Sequence, residues 1–224
     1  MKLDNVTLIS YDDTGDPTRT MKALLYCSKL IEFADVILVC NVKPIACDNI
    51  RFSPVRPRGY EGAMQWEVSE VGKYVSTDFA LCIHYDGYIV NPEKWNPDWL
   101  QYDFIGSPWP LNPTDDHPGS LDFPNSRVGN TGFCLKSKAF MKRCAEITTP
   151  YNARTYRDGY GIAGDVFCCQ LERETLEFLG MKFAPVEVAA DFGWECNIDE
   201  YPQGRPDAFG FHNFNGKNGH IPKL

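Results

Sequence analysis

Apolar positions in the first ninety residues alternate between a strand-like and a helical spacing. The opening "NVTLISYDD" is a short apolar run that closes on Tyr11, Asp12 and Asp13, which predicts a buried strand with an acidic carboxyl end. "PTRTMKALLYCSKLIEF" follows with helical spacing and places Met21, Leu24, Leu25 and Leu30 inward. "ADVILVCN" is almost continuously apolar, as expected of a strand covered on both faces. "AMQWEVSEVGKYV" reads as helix and "FALCIH" as a further strand. Strands alternating with helices predict an α/β fold with a mostly parallel, twisted, Rossmann-like sheet flanked by helices. One domain over residues 1–224 accommodates it.

After Val90 the pattern changes. Residues 91–127 are rich in Pro, Asn, Asp and Trp, with one helical turn expected at "PDWLQY". A loop of this length in a compact domain is generally a lid or a binding loop, and its aromatic content argues against disorder. "GNTGFCLKSKAFMKRCAEI" reads as a strand running into a helix. "GDVFCCQLERETLEFLG" reads as an amphipathic helix stopped by Gly180. "KFAPVEVAADFGWE" reads as a returning strand, and the tail is rich in Gly, Asn and aromatic residues.

Composition narrows the function. The 224 residues carry a net charge of -8, which disfavours a nucleic-acid binder, because that needs a basic face. Phosphate-bearing substrates remain compatible if a divalent cation intervenes. Nine cysteines occur without a C-x-x-C pair, and several sit in apolar runs (Cys40, Cys82, Cys134, Cys168), as expected of reduced, buried thiols in a cytosolic protein. The first residues do not form a signal peptide, and no apolar run reaches membrane-spanning length. The expected location is the cytoplasm, which leaves the "NVT" sequon at Asn5 without consequence.

The chemistry gathers at strand ends. In open α/β sheets, ligands bind beyond the carboxyl ends of the strands. "LCIHYDGYIV" leaves the core at Ile83 and turns at once to His84, Tyr85, Asp86 and Gly87. Residues i and i+2 of an extended segment point to one side, so His84 and Asp86 can share one divalent ion. The plainer reading is a core histidine followed by a turn aspartate.

"QYDFIGSPWP", "VGNTGFCLKSKAF", "GDVFCC" and "FGFHNF" follow in that order. This succession resembles a family of glycosyltransferase-like proteins catalogued as a domain of unknown function. Its members show a Gln-x-Asp-Gly or Gln-x-Asp-Ser strand end, Tyr-Asp-(Tyr/Phe)-Ile-Gly-(Ala/Ser)-Pro-Trp, Gly-Asn-Gly-Gly-Phe-Ser-Leu-Arg, Glu-Asp-Val and Phe-Gly-(Phe/Tyr)-His. The resemblance runs from about Val6 to about Phe214 and implies a single GT-A-type domain. The implied activity is metal-dependent transfer of a sugar from a nucleotide-sugar donor, a UDP-sugar foremost, to the hydroxyl of an acceptor glycan or other molecule, with inversion.

The resemblance also assigns roles. Asp86 takes the place of the metal-binding aspartate of the Asp-x-Asp element, and His84 stands where that element has its first aspartate. An imidazole there favours Mn²⁺ over Mg²⁺. His212 matches a C-terminal histidine that closes the metal site, with His220 as a second candidate. Gly129, Asn130, Thr131 and Gly132 match the sugar-binding turn, Thr131 replacing a glycine; a plain glycine turn is the alternative. Asp165 matches the carboxylate that acts as general base, and Gly164 replaces the glutamate before it. An N-cap is the alternative for Asp165. Tyr11, Asp12, Asp13 and Arg19, with Thr18, fall where base, ribose and phosphates bind; an acidic turn is the alternative. Trp109 is a candidate for stacking on an acceptor sugar and Trp99 an anchor for the long loop. Asp103 matches the pattern, and Glu195 is a further candidate carboxylate. Departures at His84, Thr131 and Gly164 keep open a non-catalytic nucleotide- or carbohydrate-binding module, and a nucleotide-sugar hydrolase differs only in using water as acceptor. No G-x-S-x-G is present to support a serine hydrolase.

Overall fold

The computed structural model describes residues 1–44, 49–113, 119–147, 155–156, 160–161 and 163–212. Its strands are β1 (Lys2–Asp12), β2 (Glu32–Cys40), β3 (Arg51–Pro54), β4 (Phe79–Ile83), β5 (Tyr88–Ile89), β6 (Phe104–Gly106), β7 (Phe133–Ser137), β8 (Thr155–Tyr156), β9 (Tyr160–Gly161), β10 (Gly193–Trp194) and β11 (Gly210–Phe211). Six of them form the central sheet in the order β3-β2-β1-β4-β7-β6. The first four are parallel, and β7 runs antiparallel to both β4 and β6. The parallel strands are apolar on both faces because helices cover both sides: Val6, Leu8, Ile9, Ile37, Leu38, Val39 and Leu81 are fully buried. This is the α/β architecture expected from the alternating periods.

Helix α1 (Thr18–Leu30) forms where the helical spacing placed it, but with a rotated face. Thr20, Ala23, Leu24 and Cys27 are buried, whereas Met21, Leu25 and Leu30 are only partly covered. The small side chains let the helix approach the sheet closely, and the longer ones fill its flanks. The "AMQWEVSEVGKYV" helix comprises α2 (Gly59–Gln65), a π-helical turn over Trp66–Glu70 and a 3₁₀ turn over Val71–Lys73. Helix α3 (Lys138–Ile147) follows β7 directly. The amphipathic segment after it is broken into α4 (Gly164–Val166), a π turn (Phe167–Leu171) and α5 (Arg173–Phe178), and Gly180 ends it with φ +89°.

The segment expected as a returning strand is a helix. Helix α6 spans Val186–Phe192, and only a parallel bridge of Phe183 to Phe104 and the two residues of β10 are extended. Pro185 fixes the entry, and Ala189, Ala190 and Phe192 turn inward, a helical spacing that outweighs the strand preference of Val186 and Val188. Phe192 joins an aromatic cluster in which Trp99 packs against it at 5.2 Å and against Phe209 at 5.4 Å. Trp99 thereby anchors the long loop. Of the eight cysteines in the described residues, seven are buried. Among those residues, no helix is long and apolar enough to cross a membrane.

Candidate metal centre

A second, three-stranded sheet, β10-β11-β5, sits beyond the end of β4. β11 is parallel to β10 and antiparallel to β5, with Phe211 opposite Trp194 on one side and Tyr88 on the other. The ends of β10 and β11 and the beginning of β5 therefore share one edge. Glu195 follows β10, His212 follows β11, and Asp86 precedes β5 by two residues. The N–H of His212 donates to Trp194 O at 3.0 Å, which holds it at that edge. His84 arrives from the other direction, one residue past β4, and its N–H donates to Gly132 O at 2.9 Å.

His84, Asp86 and His212 converge there, each offering one ligand atom, all within 4.8 Å of one another. Nε2 of His212 lies 3.4 Å from Oδ1 of Asp86. Two donors held about 2.1 Å from one ion at 90–110° stand about 3.0–3.4 Å apart, so this spacing suits a shared cation. Among the described residues, no group is in hydrogen-bonding position to the buried Oδ1 of Asp86, the condition of a carboxylate oxygen awaiting a positive partner. The donor set fits a divalent metal.

Each histidine has a carboxylate behind it. Glu195 Oε1 meets Nδ1 of His212 at 2.9 Å, and the Asn130 amide donates to the other Glu195 oxygen. A proton on Nδ1 directs the Nε2 lone pair towards Asp86. Burial alone lowers the His212 pKa, but Asp86 and Glu195 outweigh it and raise it to about 10. A proton and a cation therefore compete for Nε2. On the other side, Nε2 of His84 pairs with Oε1 of Glu67, a short contact that leaves Nδ1 as its remaining donor. Burial pushes Glu67 up, yet His84, Lys136 and the neighbouring Thr131 hold it below the usual carboxylate range.

The Gly-Asn-Thr-Gly turn supports this edge. Asn130 has φ 65°, a left-handed conformation that asparagine tolerates better than most residues. Its Oδ1 accepts from the N–H of Gly132 at 2.9 Å and of Phe133 at 3.3 Å. Gly132 is bare because the His212 ring lies on it: a Cβ would come within 2.5 Å of Cε1 and nearer still to Nε2 and Cδ2. Gly129 is likewise covered by the ring of Trp109. Trp109 is only 4% exposed, so it supports the turn from beneath and does not offer a face for stacking on a sugar. Asp103 also has a structural part, accepting from the Ser137 hydroxyl at 2.6 Å and the Lys182 N–H at 2.9 Å.

Asp165 lies in the first turn of α4 and not at its N-cap, which is Ala163. Its Oδ1 accepts from the N–H of Val166 at 2.8 Å, satisfying one of the exposed donors of that turn. Burial raises its pKa, Glu67 and Glu195 add to the effect, and the result is about 6.

The first-strand residues divide. Asp12 spends both oxygens inside its loop, accepting from Thr14 N–H at 3.0 Å and from the Thr20 hydroxyl at 2.6 Å. Asp13 holds the start of α2, accepting from the N–H groups of Arg58 at 2.6 Å and Gly59 at 2.9 Å. Tyr11 packs on Trp66 with ring centres 4.9 Å apart. Arg19 is exposed and stands 3.8 Å over the ring of Tyr85, between the two residues of the His84–Asp86 pair. His220 lies outside the described residues.

Sequence reasoning missed Glu67 and Lys136. Both carried a signal: Glu67 sits between the apolar Trp66 and Val68 of a helical segment, and Lys136 interrupts an apolar strand. Lys136 is 3% exposed, and its Nζ donates to Glu67 O at 3.0 Å, pinning the π turn that carries the carboxylate.

Comparison with solved structures places the fold. The galactosyltransferase LgtC, solved with donor and acceptor sugar analogues, is 12% identical with a TM-score of 0.58, over 93% of this chain and 87% of that one. A glycosyltransferase involved in glycosylating the major capsid of the virus PBCV-1 is 14% identical with a TM-score of 0.52, over 94% and 93%. The apo glycosyltransferase GlyE of Streptococcus pneumoniae TIGR4 is 9% identical with a TM-score of 0.51, over 98% of this chain and 57% of that one. The fold is thus that of GT-A glycosyltransferases. No curated protein matches the sequence. The family described as a protein of unknown function, DUF5672, matches residues 72–212, from the approach to β4 through His212, and the chain belongs to that family.

Proposed function

We propose that this chain is a metal-dependent glycosyltransferase that moves a sugar from a nucleotide-sugar donor, a UDP-sugar, to an acceptor hydroxyl with inversion. The observation that carries the reading is the convergence of His84, Asp86 and His212 beyond the carboxyl end of β4, within 4.8 Å of one another. Those three residues would hold a divalent cation, which when bound would neutralise charge on a diphosphate leaving group. Arg19, exposed beside Tyr85, adds a positive charge on the same approach. The 129–132 turn serves the sugar site by holding the His212 ring, which rests on Gly132, and the Glu195 carboxylate, which Asn130 binds.

Asp165 is the base. Its pKa of about 6 leaves it ionised at neutral pH and still basic enough to accept a proton. The acceptor oxygen forms a bond to the anomeric carbon as the bond from that carbon to the diphosphate oxygen breaks. The leaving group departs with the electron pair, and the hydroxyl proton passes to Asp165.

Thermal unfolding with a panel of UDP-, GDP-, CMP- and dTDP-sugars, with Mn²⁺, Mg²⁺ or EDTA, tests the proposal. A donor at a hundredfold over its dissociation constant stabilises by about 2.7 kcal/mol, or roughly 5–11 °C for a domain of this size. The expected result is a shift with one nucleotide class that EDTA abolishes, accompanied by sugar transfer to an acceptor. Binding without release of the sugar would leave a binding module, and release to water alone a hydrolase.

A further inference from the structure

We propose that Glu67 is the positioning residue that makes His84 a metal ligand through Nδ1, so that the centre takes first-row transition ions and rejects Mg²⁺. This rests on the metal site of the proposed transferase but concerns which ion that site accepts. The contact of Glu67 Oε1 with Nε2 of His84 fixes the tautomer, because a carboxylate can only accept. The lone pair is then on Nδ1. Glu67 is itself immobilised. Its side chain is 8% exposed, it lies in the π turn at Trp66–Glu70, and Lys136 Nζ holds its carbonyl at 3.0 Å. His212 receives the same treatment from Glu195 at 2.9 Å.

The result is two oriented imidazoles and one carboxylate, two of the three donors being nitrogen. Mg²⁺ prefers oxygen ligands and keeps its water, whereas imidazole suits the later first-row ions. Affinity at a fixed set of nitrogen and oxygen donors also rises from Mn²⁺ to Co²⁺. Carboxylates behind metal-bound histidines typically change metal affinity by 10–100-fold.

The test uses the full chain, stripped with EDTA and dialysed, and titrated calorimetrically with MnCl₂, CoCl₂ and MgCl₂ in the absence of any nucleotide. Co²⁺ is expected to bind tighter than Mn²⁺, and Mg²⁺ at least about tenfold more weakly than Mn²⁺. Electron spin echo spectra of the Mn²⁺-loaded protein are expected to contain two imidazole ¹⁴N couplings. Glu67→Gln should lower Co²⁺ affinity by about 10–100-fold and remove one coupling. His84→Asp should bring Mg²⁺ and Mn²⁺ affinities together. Equal binding of Mg²⁺ and Mn²⁺ by the unmutated chain, a single nitrogen coupling, or no metal binding overturns the inference. So does a folded Glu67→Gln protein with unchanged Co²⁺ affinity. If Glu67→Gln does not fold, the coupling count in the unmutated chain and the His84→Asp titration decide alone. Selective metal binding without sugar transfer would defeat the transferase reading and leave this one standing. Transfer with equal use of Mg²⁺ and Mn²⁺ would do the reverse.

Discussion

Gly132→Ala is the sharpest single test of the site, because it adds one carbon where the His212 ring rests. The new Cβ would lie 2.5 Å from Cε1 and closer to Nε2 and Cδ2. Carbon atoms in contact stand about 3.5–4.0 Å apart, so the ring must retreat by at least about 1 Å. Gly132 has no left-handed backbone that alanine would strain, so the effect is steric. Moving the ring that far separates Nε2 from Asp86 Oδ1, now 3.4 Å away, and a displacement of this size in a reacting group costs about 100-fold in rate. Overpacking costs about 1–3 kcal/mol, or roughly 2–12 °C in melting temperature for a domain of this length. The assay is a double-mutant cycle. Gly132→Ala should lose stability and Mn²⁺ affinity together, and Gly132→Ala combined with His212→Ala should recover the stability without the metal. A Gly132→Ala protein that binds Mn²⁺ as the parent does and melts at the parent temperature would refute the placement of His212.

Further outcomes are expected at three positions. Asp165→Asn should lower turnover about 10²–10⁴-fold with little change in donor binding, measured by steady-state kinetics. The parent rate should climb as pH rises through about 6 and Asp165 ionises. Because folding raises this pKa above the ordinary carboxylate value, the stability linked to its protonation is complete at low pH and lost as pH rises through about 6; Asp165→Asn should therefore raise the melting temperature at pH 8 and hardly change it near pH 4. Asn130→Ala should lose about 1–2 kcal/mol more than Asn130→Gly in urea unfolding, since only alanine is strained at φ 65°; equal losses would locate the whole effect in the side-chain bonds. Trp109→Ala, at a 4% exposed site under Gly129, should cost about 3–5 kcal/mol of stability, and loss of acceptor affinity without loss of stability would restore the stacking role.

Much of this was legible because the information is local. β1, β2 and β4 announce themselves as apolar runs, and the acidic end of β1 and the histidine-bearing end of β4 follow from where each run stops. The pairing of His84 with Asp86 needed only the two-residue period of an extended chain. The strands of the small sheet were not legible as strands. β5, β10 and β11 are two residues each, too short for any period, and they exist because Phe211 finds Trp194 and Tyr88 as neighbours. A resemblance, not a pattern, nominated His212. Helix α6 was misread because Val186 and Val188 favour a strand, and only the inward spacing of Ala189, Ala190 and Phe192, set by the core, reverses that. Trp109 was read as a sugar platform because its residue type suits both tasks, and burial alone separates them.

His84, Thr131 and Gly164 lie far apart in sequence and meet at one carboxylate, that of Glu67. His84 pairs with Glu67 Oε1. A side chain at Gly164 would begin 3.3 Å from Glu67 Oε2. Thr131 lies beside the same group and favours its charged form. His84 needs a carboxylate behind it to present its lone pair, and Glu67 of the π turn supplies it. A histidine without Glu67 would lack an oriented donor, and Glu67 without histidine would lose its strongest favourable partner and keep only Lys136 and Thr131 against the cost of burial. Each group is thus made tolerable by the other. The double variant Glu67→Gln with His84→Asp should therefore be less destabilised than the sum of the two single variants, by about 0.5–3 kcal/mol in urea unfolding, and strict additivity would show that the two residues do not act as a unit.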